Sequence, residues 1–227
     1  MNLLPGLDPL LLSLKLAFLA TVGLLLVGTP LAWWLAFTRR RWKVGVEAVV
    51  ALPLVLPPTV LGFYLLLAMA PQGWLGEPWM QLTGSPLAFT FSGLVIASIF
   101  YSLPFVVQPL QGAFESMGRP LMEAAWTLGS PPWKTFFNTV LPVCRHGFLT
   151  ATVLSFAHTM GEFGVVLMVG GNIPGETRVV SIAIYDEVEA MAYGEAHRLS
   201  LLLLAFSFTV LLLVYWQNRR WRLPDER

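Results

Sequence analysis

The residues of this sequence that could carry acid–base or metal chemistry are few and scattered. They include three histidines (His146, His158 and His197) and a single cysteine, Cys144, so no internal disulfide is possible. His158 and Glu162 stand four residues apart, so on a helix they would share one face and could share a proton. They do not form the H-E-x-x-H pattern of a zinc-dependent protease. We therefore predict neither a catalytic residue nor a metal site, and an enzyme is disfavoured.

The composition indicates that lipid surrounds most of the chain. Of its 227 residues, 56% are hydrophobic and only 12% are charged, and the mean hydropathy is +0.68. A soluble domain carries about 25% charged residues. The net charge of +1 gives no general attraction to nucleic acid. The phosphate-loop pattern G-x-x-x-x-G-K-[ST] is absent, so the sequence has no P-loop ATPase site. We expect one integral membrane domain over residues 1–227.

Five apolar stretches each approach the roughly 20 residues that a membrane-spanning helix needs. The first is followed by a basic cluster instead of being preceded by one, so we interpret it as a retained helix and not as a secretory signal. The second contains Pro57-Pro58, which predicts a kink or a break. The sequence thus predicts an all-α membrane protein with spans at about residues 14–37, 48–70, 87–110, 147–169 and 199–216.

Lysine and arginine are distributed unevenly between the segments that connect these spans. Four lie between residues 38 and 43, three between 111 and 146, and four in the tail after residue 216. Residues 1–9 and 71–86 have none. Because cytoplasmic loops of membrane proteins carry the excess of positive charge, the N-terminus is predicted outside and the C-terminus in the cytoplasm. An odd number of spans agrees with that arrangement.

The longest cytoplasmic segment, residues 115–142, has the signals of two short helices joined by a tight turn. Pro120 suits the first position of a helix, and Gly129 suits the residue just past its end. Ser130 and the proline after it predict a second helix that ends before Pro142. The apolar residues of this loop are too many for a free loop, so the spans or a partner protein must cover them. They are Leu121, Ala125, Leu128, Trp133, Phe136 and Phe137.

The same loop resembles the EAA loop of ABC importer permeases. The residues that carry the resemblance are Glu123, Ala124, Ala125, Gly129, Leu141 and Pro142. The family commonly has isoleucine where Thr139 stands, a departure that concerns packing more than docking. The resemblance implies that the loop is a coupling helix, which sits in a groove of a separate ATP-hydrolysing subunit. Glu123 would then meet a basic residue of that subunit, the two alanines would allow close approach, and Gly129 would make the turn.

Three further motifs resemble the permeases for molybdate and, more loosely, those for sulfate and thiosulfate. They are the Leu52–Pro58 stretch, Gly161-Glu162-Phe163-Gly164, and a segment after the fourth span. The residues of that segment are Asn172, Ile173, Pro174, Gly175, Glu176, Thr177 and Arg178. With the EAA loop, the resemblance implies the type I importer fold in the cell inner (cytoplasmic) membrane, with molybdate as cargo. Tungstate, sulfate and thiosulfate stay open as alternatives.

The resemblance also implies partners. They are a second copy of the chain, two ATP-binding subunits that use ATP and Mg, an external oxyanion-binding protein, and membrane lipid. This chain would bind no cofactor of its own. Transport would proceed by alternating access along a path between the two permease copies. A channel or a secondary carrier is disfavoured because neither would need a dock for an ATPase.

The polar residues of the fourth span have two interpretations. A charged group there costs about 2.5–3.5 kcal/mol on insertion scales. The face with His158 and Glu162 could line the path or a subunit contact, or the pair could only fix helix packing. A bare carboxylate would repel an anion, which favours the packing role. Gly161 and Gly164 would let another helix come close.

The segment after the fourth span is predicted to be a turn on the outer side, because it contains Pro174-Gly175. It could act as an outer gate, as a contact for the binding protein, or as a plain connector. Apolar and acidic residues then mix between Val179 and Met191. This pattern predicts a short helix at the outer membrane surface.

Overall fold

The computed structural model of the protein describes residues 7–220, with side chains as far as Leu212. Every regular element in residues 7–220 is a helix, as the sequence predicted. Arg222 and Arg227 of the predicted cytoplasmic tail lie outside the described residues.

The helices are named in chain order. They are α1 (Asp8–Phe37), α2 (Lys43–Val55), α3 (Pro58–Met69), α4 (Gly76–Thr83), α5 (Phe91–Ser102), α6 (Pro104–Met117), α7 (Pro120–Thr127), α8 (Pro132–Thr135), a π-helical turn (Phe136–Val140), α9 (Leu141–Val143), α10 (Arg145–Met160), α11 (Gly164–Gly170), α12 (Val180–Glu189) and α13 (Tyr193–Arg220).

Two of the described helices, α1 and α13, are long and apolar enough to cross a bilayer alone. Three further pairs of consecutive helices pass the same criterion together but are bent: α2 with α3 by 115°, α5 with α6 by 44°, and Pro132–Val143 with α10 by 76°. The described residues therefore hold up to five spans if each bent pair counts as one. This number agrees with the five predicted stretches.

The predicted span boundaries agree with the helix bounds for some spans and differ from them for others. The first span ends at Phe37 as predicted, and the break at Pro57-Pro58 is confirmed by the 115° bend. The third span begins near its predicted start but continues through a kink at Pro104 as far as Met117, because α6 follows α5 almost directly. The prediction of a continuous fourth span over 147–169 is wrong: α10 ends at Met160, and the chain breaks before α11.

Helix α1 lies at the centre of the helix bundle. It packs on α5, α6, α10 and α12, and its own core positions are fully buried, among them Leu24 and Leu35. Gly28 permits a close approach to α6, since a Cβ there would lie 2.8 Å from Val106. The hydroxyl of Ser13 accepts a hydrogen bond from the Val180 N–H at 2.8 Å, which ties the start of α12 to α1.

Local sequence explains several helix ends. Thr90 caps α5, because its hydroxyl accepts a hydrogen bond from the Gly93 N–H at 3.1 Å. Helix α4 ends at Thr83 and is followed by Gly84, whose φ of 71° is a left-handed conformation that suits glycine. This helix lies in the connection between the second and third spans, where the sequence indicated only a loop. The short helix expected between Val179 and Met191 is present as α12.

Candidate functional site

The first candidate site is the coupling loop, defined here as residues 118–144. Its first helix, α7, starts with Pro120 and ends in a Schellman motif around Gly129, which has a φ of 79°. The Ser130 N–H donates to the Ala125 carbonyl at 3.0 Å, and the Gly129 N–H donates to the Trp126 carbonyl at 2.9 Å. These two hydrogen bonds turn the chain toward α8, and they form the tight turn that the sequence predicts between two short helices.

The second helix of the coupling loop is longer than predicted. It was expected to end before Pro142, but helical structure continues from Pro132 through a π-helical turn to Val143. A proline ring inside an α-helix clashes with the carbonyl four residues earlier. The π-helical turn widens the helix immediately before Pro142, which makes room for the ring. The bend to α10 instead comes at Cys144.

One face of the coupling loop is anchored in the core of the protein. Met122 and Val140 are buried against the cluster that α1, α6 and α10 share. Phe136 packs edge-on against Trp33 of α1 and against Phe148 of α10, with ring centroids 6.0 and 6.4 Å apart. The anchored face fixes the orientation of the loop relative to the spans. Of the six apolar residues noted in the sequence, Phe136 is thus partly covered by the protein's own helices.

The opposite face of the coupling loop is exposed and apolar. Leu128 is 87% exposed, Trp133 63% and Phe137 59%. On α7, Glu123 and Ala124 are also exposed, and Ala125 is half-buried. Large exposed apolar patches commonly mark interaction surfaces. The protein's own helices therefore leave exposed much of the apolar surface for which the sequence analysis predicted a cover.

The second candidate site is a cavity beside two breaks between consecutive helices, here called the helix-break cavity. One break lies between α2 and α3, and the other lies between α10 and α11. The breaks touch, since a Cβ on Gly164 would lie 2.7 Å from the Cβ of Pro58. The cavity has a volume of about 600 Å³. Its lining residues are Pro58, Thr59, Tyr101, Ala157, His158, Gly161, Glu162, Phe163, Gly164, Leu167 and Met168.

Glu162 lies within the break between α10 and α11, and only 5% of its surface is exposed. Its Oε2 accepts a hydrogen bond from the Ser98 hydroxyl of α5 at 3.0 Å. Its backbone carbonyl accepts one from the Ser181 hydroxyl of α12 at 2.6 Å. Its other carboxyl oxygen, Oε1, is buried and has no hydrogen-bond partner among the described residues. The break is therefore held from two sides, while one polar atom stays unsatisfied.

The expectation that His158 and Glu162 pair on one helical face is wrong. Helix α10 ends at Met160, so the two residues do not share a continuous helix. Each bonds instead to a different serine of α5: Ser98 binds Glu162, and Ser102 lies 2.9 Å from Nδ1 of His158. The His158 ring also stacks on Phe105, with centroids 4.0 Å apart.

The two glycines predicted to allow close helix approach behave differently. Gly164 does so, against Pro58. At Gly161 a Cβ would meet only backbone oxygens of its own helix, at 3.8 and 3.9 Å, which is ordinary contact. Of the two glycines, only Gly164 therefore lies at a close approach between helices.

Sequence reasoning missed the residues that face the break from other helices. Ser98 and Ser102 supply the hydroxyls, and Thr59 and Tyr101 line the cavity. One signal was available: the two serines stand four residues apart in a span without charged residues, which places them on one helical face. Polar groups within the membrane generally find partners of this kind.

The third candidate site is the outer loop, residues 171–178, where the structure gives a compact turn. The Thr177 hydroxyl donates to the Gly170 carbonyl at 2.7 Å and accepts from the Ile173 N–H at 3.0 Å. The Asn172 amide donates to the Asp186 carboxylate of α12, and Arg178 bonds to Asn172 at 2.6 Å. Pro174, Gly175 and Glu176 are exposed at the tip. The loop is thus clamped to α12 at its base and open at its tip.

Comparison with known proteins defines the class. Residues 28–223 match the family described as the binding-protein-dependent transport system inner membrane component, and the chain belongs to this family. It is a multi-pass permease component of the inner membrane and not itself catalytic. A protein of Azotobacter vinelandii named "Molybdenum transport system permease protein ModB" is 60% identical over 92% of each chain. The protein of that name in Escherichia coli (strain K12) is 37% identical, over 95% of this chain and 94% of the relative.

Other relatives carry a different name. A "Probable sulfate transport system permease protein cysT" of Zygnema circumcarinatum is 37% identical over 87% of this chain and 68% of that protein. Among solved structures, a chain of a bacterial ABC transporter for import of alginate matches with a TM-score of 0.75 at 17% identity, over 96% of this chain and 80% of that one. The inward-facing MetNI methionine ABC transporter matches at 0.69 and 15% identity, over 93% and 94%. These two likenesses show the type I importer permease fold.

Proposed function

We propose that this chain is the membrane-spanning permease subunit of an ATP-driven importer that carries molybdate into the cytoplasm. The observation that carries the proposal is the 60% identity, over 92% of each chain, to the molybdenum transport permease of Azotobacter vinelandii. The motif around Glu162 and the outer loop, which resemble molybdate permeases, support it. ATP hydrolysis belongs to a separate partner subunit.

The coupling loop is proposed as the dock for that ATPase subunit. Three features support this role: an anchored inner face, an exposed apolar outer face, and Glu123 at the exposed start of α7. An apolar face with a charged group at its edge suits a protein partner, since the apolar part gives affinity and the charge gives register. Leu141 and Pro142 of the motif lie at the end of the loop, next to the bend that leads into α10.

A second copy of the same chain is proposed as the other half of the transport path. The helix-break cavity is lined by residues of one chain and remains open, with exposed Pro58 and Thr59 at its edge. Exposed apolar side chains on α2, α3 and α13 leave faces for a partner copy and for lipid. A twofold dimer would put two such cavities around one axis. ATP-driven closure of two docked ATPases would then alternate access to that path, and the outer loop would face the external binding protein.

The proposed orientation has the N-terminus outside and the C-terminus in the cytoplasm, as the distribution of positive charge indicates. Cysteines introduced at Arg40 and Gln72 should then react with membrane-impermeant reagents from opposite sides. Labelling of intact cells should modify the cysteine at Gln72, and labelling of inverted vesicles should modify the one at Arg40. Reaction of both positions from the same side would contradict the orientation.

Sulfate is the second candidate cargo, since relatives named as sulfate permeases reach 37% identity. Molybdate, tungstate and sulfate are all tetrahedral dianions, so the permease alone gives little basis to separate them. The test is uptake by the complete complex in proteoliposomes, with its ATPases and binding protein. Molybdate uptake that a tenfold excess of sulfate does not suppress supports the proposal. Sulfate uptake without molybdate uptake would overturn it.

A further inference from the structure

The helix-break cavity combines two features that rarely occur together inside a membrane protein. Non-helical backbone within the hydrocarbon region is tolerated only where it is buried in protein or lines a water-filled cavity. Here two helix breaks meet at one place, at Pro58 and Gly164, and a cavity of about 600 Å³ opens beside them. Broken helices that meet in this way mark binding sites for transported solutes in other transporters.

Glu162 is the second feature, because it is one of the residues that line this cavity and the hydrogen bonding of its carboxyl group is incomplete. Oε2 has the Ser98 hydroxyl, but the buried Oε1 has no hydrogen-bond partner among the described residues. The described residues that line the cavity include no lysine or arginine to balance a negative charge. A buried charge without a counter-charge is costly, whereas a protonated carboxyl is neutral and has one O–H to donate. The surroundings of Glu162 therefore suit the neutral acid.

A neutral acid changes what this cavity can bind. A carboxylate would repel an oxyanion, but the O–H of a carboxylic acid donates to one. Thr59, exposed at the start of α3, adds a hydroxyl to the same lining. Donors thus come to the cavity from both helix breaks.

We propose that the helix-break cavity holds the tetrahedral oxyanion during transport, and that Glu162, as the protonated acid, donates a hydrogen bond to one of its oxygens. Thr59 supplies a second donor. The proton is shared in the hydrogen bond and stays on Glu162, so the oxyanion passes without a change in charge. This inference rests on the proposed function for the identity of the cargo, but its chemistry applies to any tetrahedral oxyanion.

The test uses the complete complex in proteoliposomes and compares two neutral replacements of Glu162. Glu162→Gln keeps an N–H donor at nearly the same place, and Glu162→Met keeps the length of the side chain but has no donor. We expect Glu162→Gln to transport molybdate within about threefold of the wild type. Glu162→Met should lose at least about tenfold, the effect expected for one hydrogen bond to a charged group. Glu77→Met, the same change at an exposed site on α4, is the matched control.

Two results would overturn the inference. Equal uptake by Glu162→Met and Glu162→Gln in assembled complexes would make the carboxyl group a packing element only. A loss in Glu162→Gln as large as in Glu162→Met would mean that a donor is not what the site requires. If Glu162→Met does not assemble, Thr59→Val decides, because an exposed side chain can be changed without disturbing the core. Uptake reduced severalfold in Thr59→Val supports the site, and unchanged uptake overturns it.

The same variants separate this inference from the proposed cargo. Uptake of molybdate, tungstate and sulfate is measured for each of them. A wild-type complex that carries sulfate but not molybdate would refute the proposed function. If Glu162→Met then lost sulfate uptake and Glu162→Gln kept it, the oxyanion site would stand. If the wild type carries molybdate and both variants match it, the function stands and the site fails.

Discussion

The coupling loop and the helix-break cavity each contain a glutamate, but the two glutamates have opposite surroundings. Glu123 lies exposed on α7, beside apolar side chains that the protein leaves uncovered. Glu162 is buried, and α5 and α12 hold its segment through Ser98 and Ser181. The first glutamate is exposed to a protein partner, whereas the second lines a cavity within the helix bundle.

This contrast shows how one chain can separate energy coupling from cargo handling. One face of the coupling loop is anchored and the other is exposed. A force on the exposed face is therefore transmitted through Met122 and Val140 to α1, α6 and α10. The cavity lies at the far end of α10, next to Met160. A tilt of α10 therefore changes both regions at once. Substitutions in the two regions should accordingly have different consequences.

The largest effect is expected from Glu123→Lys in the coupling loop. If Glu123 meets a basic residue of the ATPase, the change puts two like charges at a partly desolvated interface, which can cost several kcal/mol. Since about 1.4 kcal/mol is a tenfold change in affinity, co-purification of the ATPase should be lost. The level of the inserted permease should stay normal, because Glu123 is exposed. Pull-down of the ATPase measures the effect, and wild-type binding would remove the coupling loop as the dock.

Gly129→Val should weaken the same dock through the backbone. Gly129 has a φ of 79°, and a Cβ there would meet no neighbour within 4 Å, so the main penalty is conformational. A left-handed position costs a residue other than glycine about 1–3 kcal/mol, and β-branched side chains are the least suited. Gly129→Asn is the matched control, because asparagine adopts this conformation more readily. ATPase binding by Gly129→Val equal to that of Gly129→Asn would contradict the role of the turn.

In the helix-break region, Gly164→Val should lower stability and leave docking unchanged. The first added carbon would lie 2.7 Å from the Cβ of Pro58, which forces α3 and α11 apart. Overpacking of this kind costs about 1–3 kcal/mol. Gly161→Ala is the control, since its added carbon meets nothing closer than 3.8 Å. Thermal unfolding of the purified permease should separate the two, and equal midpoints would show that the contact between the broken spans contributes little.

The coupling loop could be predicted from the sequence because its signals are local. Pro120 begins a helix and Gly129 ends it, and the two residues that follow begin the next. Each of these signals acts within a few residues. Only the length of the second helix was misjudged, because a π-helical turn accommodates Pro142, and nothing in a single sequence marks such a turn.

The break at Glu162 could not be predicted in the same way because the residues that bind it are distant in the sequence. No proline interrupts residues 147–169, and the stretch is apolar enough to continue as one helix. The chain departs from the helix where Ser98, 64 residues earlier, and Ser181, 19 residues later, bind Glu162. The break between α2 and α3 could be predicted, since Pro57-Pro58 encodes it locally. The meeting of the two breaks is a property of the packed helices.

The smallest effect is expected where a single hydroxyl links α5 to α10. Ser102 is fully buried, and its hydroxyl lies 2.9 Å from Nδ1 of His158 and 3.2 Å from the Thr159 hydroxyl. Hydrogen bonds between membrane helices contribute about 0.6 kcal/mol on average and rarely exceed about 1.7 kcal/mol. Ser102→Ala should therefore lower the unfolding midpoint slightly while ATPase binding stays at the wild-type level.

Ser116→Ala is the matched control for this last change. Ser116 is exposed on α6, and among the described residues its hydroxyl bonds only to the Gly112 carbonyl of its own helix, at 2.8 Å. Its loss removes no link between helices, so the unfolding midpoint should not move. A lower midpoint in Ser102→Ala than in Ser116→Ala would show that the serine contacts of α5 hold the broken span in place. If the two variants unfold together, packing at Gly164 and the Ser98 and Ser181 contacts hold the break without help from Ser102.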